Sequence, residues 1–164
     1  RRGTPFRGVI FAGLMLTESG PQLIEYNVRF GDPEAEALLP RLTSDLLPAL
    51  KALAEDKLDT APVTFSDQAS VCVVMAARGY PGTPEKGAVI SGIEDANKLP
   101  DVQVFQAGTK LNSAGELVVA GGRVLVVCAL GNTVKQAQER AYEGVKTISW
   151  DGAIWRTDIG NRAL

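Results

Sequence analysis

Histidine is absent from this chain of 164 residues, and only two cysteines are present. Without histidine, neither a serine–histidine nor a cysteine–histidine nucleophile pair can form, and histidine metal sites are excluded. Chemistry must therefore depend on carboxylates, amides, Arg, Lys or a bound metal ion. Cys72 and Cys128 each lie in an apolar, strand-like run, where cysteine usually acts as a small hydrophobic residue. Their spacing matches neither a zinc site nor a disulfide framework, which favours a reducing cytoplasm.

Long apolar runs and basic clusters are also missing. The longest apolar runs, such as Val124–Leu130, are far shorter than the roughly 20 residues that a membrane span needs. No basic run is interleaved with aromatic residues, and the formal net charge is −2. We therefore expect neither a membrane nor a nucleic acid as a partner. A hydrophobic content of 45% is enough for a core in one domain or two small ones.

An alternating stretch over Leu23–Phe30 predicts a β-strand, and the apolar run Val9–Leu16 before it predicts an antiparallel partner. With a period of two, Glu25, Asn27 and Arg29 share one face of the strand. Carboxylate and amide oxygens are ligands that magnesium prefers, and a guanidinium offers a planar fork for phosphate. Alternation of this kind is also typical of a half-buried strand whose polar face is simply solvated. Asparagine is depleted in strands, which favours the metal-site interpretation.

Two helices are predicted next, over Pro33–Leu39 and from about Ser44 to Glu55. The segment Asp59–Asp67 mixes proline with polar residues and is typical of a linker. Beyond it, short apolar runs predict strands over Ala69–Ala77, Ala88–Ser91, Val102–Gln106, Glu116–Val119 and Arg123–Leu130.

A helix capped by Asn132 or Thr133 is predicted to run to Ile148, and Trp150–Trp155 is predicted to form a last hairpin. The predicted fold class is therefore α+β. It combines an antiparallel hairpin and helices with a small β-rich barrel or sandwich that carries one helix.

A family resemblance is carried by the stretches GVIFAGLMLTESGPQLIEYNVRFGDPEAEALLPRL, ASVCVVMAARGYPG, KGAVISG, VFQAGT, AGGRVLVVCALG and DIGNRAL. From Gly8 to Leu164 the chain resembles the end of the ATP-grasp region and the C-terminal domain of the glycinamide ribonucleotide synthetases. The resemblance implies an ATP-grasp part over residues 1–62 and a β-rich C-terminal domain over residues 68–164. It also implies a C-terminal part of a longer enzyme, inactive without its N-terminal part.

The activity that this resemblance implies is ATP-dependent ligation of glycine to 5-phosphoribosylamine in purine biosynthesis. The products would be glycinamide ribonucleotide, ADP and phosphate, formed through a glycyl phosphate. ATP and Mg²⁺, or Mn²⁺, are the implied cofactors. Two alternatives remain open: another ATP-grasp carboxylate–amine ligase, or a catalytically silent module that acts only with the N-terminal part.

By the same resemblance, Glu25 and Asn27 match the metal ligands of the family. Arg29 matches the catalytic arginine, which would hold phosphate or acyl-phosphate oxygens; its alternative is an ion pair with Glu34 or Glu36.

Five further positions carry expectations. Gly31 and Asp32 match the substrate-facing turn of the family, although Asp32 could equally serve as a plain helix N-cap. Leu14 and Leu16 share one face of the preceding strand and are expected to pack against the nucleotide or, alternatively, in a core. Gln106 stands where family members often have histidine.

Overall fold

The chain, in a computed structural model that describes residues 3–164, forms two compact units. Unit 1 comprises the residues up to Ala35 together with Leu42–Ser66, and unit 2 comprises Glu36–Arg41 and Asp67–Leu164. This division differs from the predicted domains, residues 1–62 and 68–164, at Glu36–Arg41. The domain assignment itself stays a prediction.

Unit 1 contains an antiparallel hairpin of β1 (Phe11–Thr17) and β2 (Gly20–Asn27). Its ladder runs from Phe11 opposite Asn27 to Thr17 opposite Gly20, with a bulge between Gly13 and Leu14. The predicted pairing is confirmed. The prediction that the strand continues through Arg29 is wrong: β1 begins at Phe11, so no β1 residue remains to pair beyond Asn27, and the chain bends there.

Two short helices follow, α1 (Glu34–Leu38) and α2 (Leu46–Ala54), close to the predicted positions. The carboxylate of Asp45 caps α2 by accepting the Leu47 backbone N–H at 3.0 Å. Such a cap satisfies one of the backbone donors that the first helical turn leaves unpaired.

Unit 2 contains the remaining strands and helices. In chain order these are β3 (Ala69–Ala77), α3 (Ile93–Ala96), β4 (Val102–Gln106), β5 (Thr109–Leu111), β6 (Leu117–Val119), β7 (Arg123–Gly131), α4 (Val134–Thr147) and β8 (Ala153–Trp155). A four-stranded antiparallel sheet has the order β4-β7-β3-β8, and β5 and β6 form a separate two-stranded ribbon. The predicted α+β class, with a hairpin and helices followed by a β-rich part, is confirmed.

Two details of the predicted strands are wrong. The stretch Ala88–Ser91 forms only isolated bridges, from Val89 to Val118 and from Ser91 to Ser149. The last segment is not a hairpin of its own, since β8 pairs with β3. The Gly152 carbonyl accepts the Arg78 N–H at 2.8 Å, which extends that pairing beyond the end of β3.

The core of unit 2 lies between the sheet and α4. Thr133 caps α4, as predicted, by accepting the Gln136 N–H at 3.1 Å. The predicted apolar stripe of this helix packs on β3 and β7, and its side chains at Ala137, Ala141 and Val145 are fully buried. No helix within residues 3–164 combines the length and apolar character needed to cross a bilayer.

Candidate functional site

The polar pair predicted to bind metal lies together on the hairpin of unit 1. The Asn27 Nδ2 donates to the Glu25 Oε1 at 2.9 Å. Glu25 lies opposite Gly13 and Asn27 lies opposite Phe11. Directly paired residues of antiparallel strands share a face, so these four residues occupy one side of the hairpin.

Gly13 is a part of this site that the sequence reasoning missed. A Cβ built at Gly13 would lie 3.3 Å from the Glu25 Cγ. Because Gly13 has no side chain, the Glu25 side chain can lie across β1 at this position. The available signal was a single glycine within a strand-like run, which is typical of a bulge or of a close approach.

The donor set of Glu25 and Asn27 fits a divalent cation. Both side chains offer an oxygen ligand. The Asn27 nitrogen faces Glu25 in this structure, and a half-turn rotation of the Asn27 amide group would place its oxygen beside the Glu25 carboxylate instead. Within residues 3–164, no group of three or more His, Cys, Asp or Glu residues could hold a metal ion. Two protein oxygens suit Mg²⁺, which usually keeps several waters and binds substrate phosphates in addition.

Arg29 lies in the bend after β2 rather than on its polar face. Its Nη1 donates to the Phe30 carbonyl at 2.7 Å, and its side chain is exposed. In the described part of the chain, the alternative ion pair with Glu34 is not observed. The guanidinium thus stays accessible to a phosphate or carboxylate of a ligand.

The predicted substrate turn begins at a buried glycine. The Gly31 carbonyl accepts the Ala35 N–H at 3.0 Å, so the first helical turn starts from Gly31 rather than from Asp32. The exposed Glu34 side chain folds back over Gly31, where a built Cβ would meet its carboxylate. Asp32 follows with an exposed side chain, in a cis peptide bond to Pro33.

Leu14 and Leu16 lie on the other face of the hairpin. Alternation along β1 separates both from Gly13, and the bulge places Leu14 opposite Leu23 instead of Ile24. Their exposed fractions are 55% and 81%. The hairpin therefore does not bring these leucines to the metal pair, and their contact with a nucleotide stays a prediction.

Gln106 ends β4 in unit 2. Its Oε1 accepts the Thr109 hydroxyl at 3.0 Å, and it lines a surface pocket of about 360 Å³ together with Glu94 and Asp95. Glu94 and Asp95 belong to α3, so this pocket is lined by residues of both β4 and α3.

Outside these positions, charge pairing changes the pKa of two exposed carboxyl groups. The hydrogen bond and charge of Arg7 lower the pKa of Asp56, and a hydrogen bond from Arg156 lowers the pKa of Asp158. In each pair the closest nitrogen–oxygen distance is 2.6 Å. Both pairs are solvated, and each lies within a single unit.

Comparisons with known proteins cover nearly the whole chain. The family described as "Phosphoribosylglycinamide synthetase, C domain" matches residues 70–162, and "Phosphoribosylglycinamide synthetase, ATP-grasp (A) domain" matches residues 1–35. The phosphoribosylamine–glycine ligase of Caulobacter vibrioides is 53% identical over 163 residues, 99% of this chain and 38% of the relative. The chloroplastic phosphoribosylamine–glycine ligase of Arabidopsis thaliana is 48% identical over 165 residues, 99% of this chain and 31% of the relative.

Solved structures agree with these relatives. The crystal structure of phosphoribosylamine–glycine ligase from Thermotoga maritima matches with a TM-score of 0.75 and 36% identity, over 91% of this chain and 36% of that one. N5-carboxyaminoimidazole ribonucleotide synthetase from the same organism matches with a TM-score of 0.60 at 14% identity, over 87% of this chain and 37% of that one, which shows a shared fold alone.

The chain spans about two-fifths of the length of the bacterial curated relatives described here. Within that span the C-domain match extends over more than half of the chain. The chain belongs to the phosphoribosylglycinamide synthetase family, with the C domain of that family at residues 70–162 and a part of its ATP-grasp domain at residues 1–35.

Proposed function

We propose that this chain takes part in the ATP-dependent ligation of glycine to 5-phosphoribosylamine, which yields glycinamide ribonucleotide, ADP and phosphate in purine biosynthesis. The single observation that carries the proposal is the contact between Glu25 and Asn27. The two side chains meet at 2.9 Å on an open face, in the segment that matches the ATP-grasp domain. The relatives named as phosphoribosylamine–glycine ligases support the choice of substrates.

In this proposal Glu25 and Asn27 hold Mg²⁺ or Mn²⁺ through their oxygens. A divalent ion there neutralises charge on the phosphates of ATP. Arg29 holds the transferring phosphate or the acyl-phosphate oxygens, since its exposed guanidinium can donate two parallel hydrogen bonds. Asp32, exposed at the turn, accepts from the glycine ammonium or from a ribose hydroxyl, and Gly31 shapes the turn that presents it.

The chemistry proceeds in two displacements. A glycine carboxylate oxygen attacks the terminal phosphorus of ATP, which releases ADP and leaves a glycyl phosphate. The amine of phosphoribosylamine then attacks the carbonyl carbon and expels phosphate. Neither step needs a protein nucleophile or histidine, so charge neutralisation and positioning are what Glu25, Asn27 and Arg29 contribute.

The proposed partner of this chain is the remainder of a ligase of this family. The chain spans 38% of the length of its Caulobacter relative, and both faces of its hairpin are largely exposed. We therefore expect the chain to be inactive alone. The cytoplasm is the proposed location, because two cysteines at this spacing match neither a zinc site nor the disulfide framework of a secreted domain.

A chimera tests the proposed function. Residues 1–164 replace the matching segment of the Caulobacter vibrioides ligase, with which they are 53% identical. Glycine-dependent ADP release and glycinamide ribonucleotide formation are measured together. We expect both activities in the chimera. A folded chimera that releases ADP only with another amino acid would instead support another carboxylate–amine ligase, and a silent folded chimera would refute the proposal.

Within the chimera, Glu25→Ala tests the metal assignment. We expect a loss of about 10²–10³-fold in turnover, the usual effect of removing one electrostatic contact to a transferring group. Glu18→Ala is the matched control, because Glu18 lies in the turn of the same hairpin and outside the proposed site. Turnover of the Glu25 variant within a few-fold of this control would exclude Glu25 as a metal ligand.

A further inference from the structure

Two cysteines lie directly opposite each other on the central strands of unit 2. Cys72 of β3 pairs with Cys128 of β7 in the antiparallel ladder. Opposed residues of such a ladder share one face, with Cα atoms about 4.5 or 5.5 Å apart. A disulfide requires a Cα separation of about 4.4–6.8 Å, so either kind of pair falls within its range.

We propose that Cys72 and Cys128 are a dithiol site that takes a low-molecular-weight disulfide, such as oxidised glutathione, and closes to a cross-strand disulfide. Neither thiol is in a disulfide in this structure. The chain has only two cysteines, so this is the sole intrachain disulfide that it can form.

The ladder on both sides of the pair is continuous. Val71 pairs with Ala129 on one side of the cysteines, and Val73 pairs with Val127 on the other. Because β3 and β7 are already in register here, closure requires side-chain rotation and no change in the strand pairing. The Cys128 Sγ lies 3.3 Å from the Ser70 Oγ, and this contact is given up on closure.

The two thiols differ in access. Cys128 is only 2% exposed, whereas Cys72 is half-buried. Burial raises the pKa of Cys128; the Ser70 hydrogen bond opposes this, and the charge of Glu36 adds to it. Cys72 is therefore the thiol that meets the reagent, and Cys128 is the one that resolves the intermediate.

The exchange balances in two steps. The Cys72 sulfur attacks one sulfur of the reagent, RSSR, forms a mixed disulfide and releases one RSH, which takes the Cys72 proton. The Cys128 sulfur then attacks the Cys72 sulfur, which breaks the mixed disulfide and releases a second RSH with the Cys128 proton. The protein loses two hydrogen atoms, and RSSR is reduced to two thiols.

Mass spectrometry of the folded chain tests this site. The chain is incubated with oxidised glutathione, quenched with acid, and alkylated with N-ethylmaleimide in denaturant. We expect a mass lower by two hydrogen atoms, no alkylation, and a peptide that joins Cys72 to Cys128. A chain that still takes two alkyl groups, or that links only to a second copy, would overturn the proposal.

Two serine variants check the order of the steps, with circular dichroism to establish that each is folded. Cys128→Ser is expected to accumulate the stable glutathione adduct on Cys72. Cys72→Ser is expected to form an adduct at least about tenfold more slowly, because only the buried thiol remains. Equal adduct rates in the two folded variants would contradict the assigned order. Because neither measurement uses ligase activity, the result is independent of the proposed function.

Discussion

The hairpin of unit 1 and the sheet of unit 2 are built from strands of similar length but with opposite exposure. Strand β2 has 8 residues and β3 has 9. In β2, Ile24 and Tyr26 are 64% and 65% exposed, whereas Val73 and Met75 of β3 are fully buried. A two-stranded hairpin is marginally stable in water, while a sheet covered by a helix can support itself. The chain therefore separates its stability, in the sheet, from its proposed chemistry, on the hairpin.

A pair of leucine truncations makes the largest expected difference between these regions. Leu125→Ala removes a fully buried side chain of β7 and should lower the free energy of unfolding by about 2–5 kcal/mol. Leu16→Ala, at a side chain that is 81% exposed, should change it by less than about 0.5 kcal/mol. Denaturant titration followed by tryptophan fluorescence measures this, because both tryptophans, Trp150 and Trp155, belong to unit 2.

Equal losses in the two leucine variants would contradict the separation of stability from chemistry. Such a result would mean that the exposed hairpin leucines contribute to the same cooperative unfolding unit as the sheet. The slope of the titration is the internal control, since an unchanged slope shows that the variants expose the same surface on unfolding.

Much of this contrast follows from sequence patterns, but the point at which β2 ends does not. Continuous apolar runs predicted β3 and β7, and Thr133 with its periodic helix predicted α4, because buried positions leave a strong signal. The alternation in β2 predicted the meeting of Glu25 and Asn27. It could not predict where the alternation stops, since that depends on where the partner strand begins.

Three features were missed because they do not depend on local residue types. The position of Arg29 in a bend follows from pairing that ends at Phe11, and the pairing of β8 with β3 follows from tertiary contacts. Helix α3 has only four residues, too few for a periodic pattern. Local residue types carry little information about any of these features.

A pair of glycine substitutions sharpens the comparison with a smaller effect. A Cβ at Gly144 of α4 would lie 2.9 Å from a Cγ1 of Val102 and of Val127. Overpacking of this kind costs about 1–3 kcal/mol, and the gain in helix propensity from glycine to alanine is about 1 kcal/mol. Because short, branched valines cannot move far, Gly144→Ala should destabilise unit 2 by about 1 kcal/mol net in the same titration.

Gly13→Ala is the matched change in the hairpin. Its Cβ would press on the Glu25 Cγ, so we expect lower turnover of the chimera with no change in the tryptophan-detected unfolding. The proposed separation would be contradicted if Gly13→Ala destabilised unit 2. It would also be contradicted if Gly144→Ala left the stability of unit 2 unchanged.

The smallest expected effect compares two exposed ion pairs of the same length, one in each unit. Arg7 and Asp56 are 49 residues apart in sequence, whereas Arg156 and Asp158 are two apart. Both aspartates have a lowered pKa in the folded chain, relative to an ordinary value of 3.8. A lowered folded-state pKa stabilises the fold above the unfolded-state pKa, and this stabilisation is lost as the pH falls through the folded-state pKa.

The unfolded state distinguishes these two pairs. Residues two apart in sequence stay close in an unfolded chain, so Arg156 also lowers the pKa of Asp158 in the unfolded state. The difference between the folded-state and unfolded-state pKa is therefore smaller for Asp158, and so is its contribution to stability. Arg7 meets Asp56 only when unit 1 is folded.

Asp56→Asn should therefore reduce hydrogen-exchange protection in α2 at pH above the ordinary aspartate value, and the difference from the parent should vanish in stronger acid. Asp158→Asn should change protection in α4 less over the same pH range, and added salt should diminish both effects because the pairs are solvated. A larger pH-dependent loss in Asp158→Asn would mean that local pairs, rather than pairs made by folding, carry the acid sensitivity of this chain.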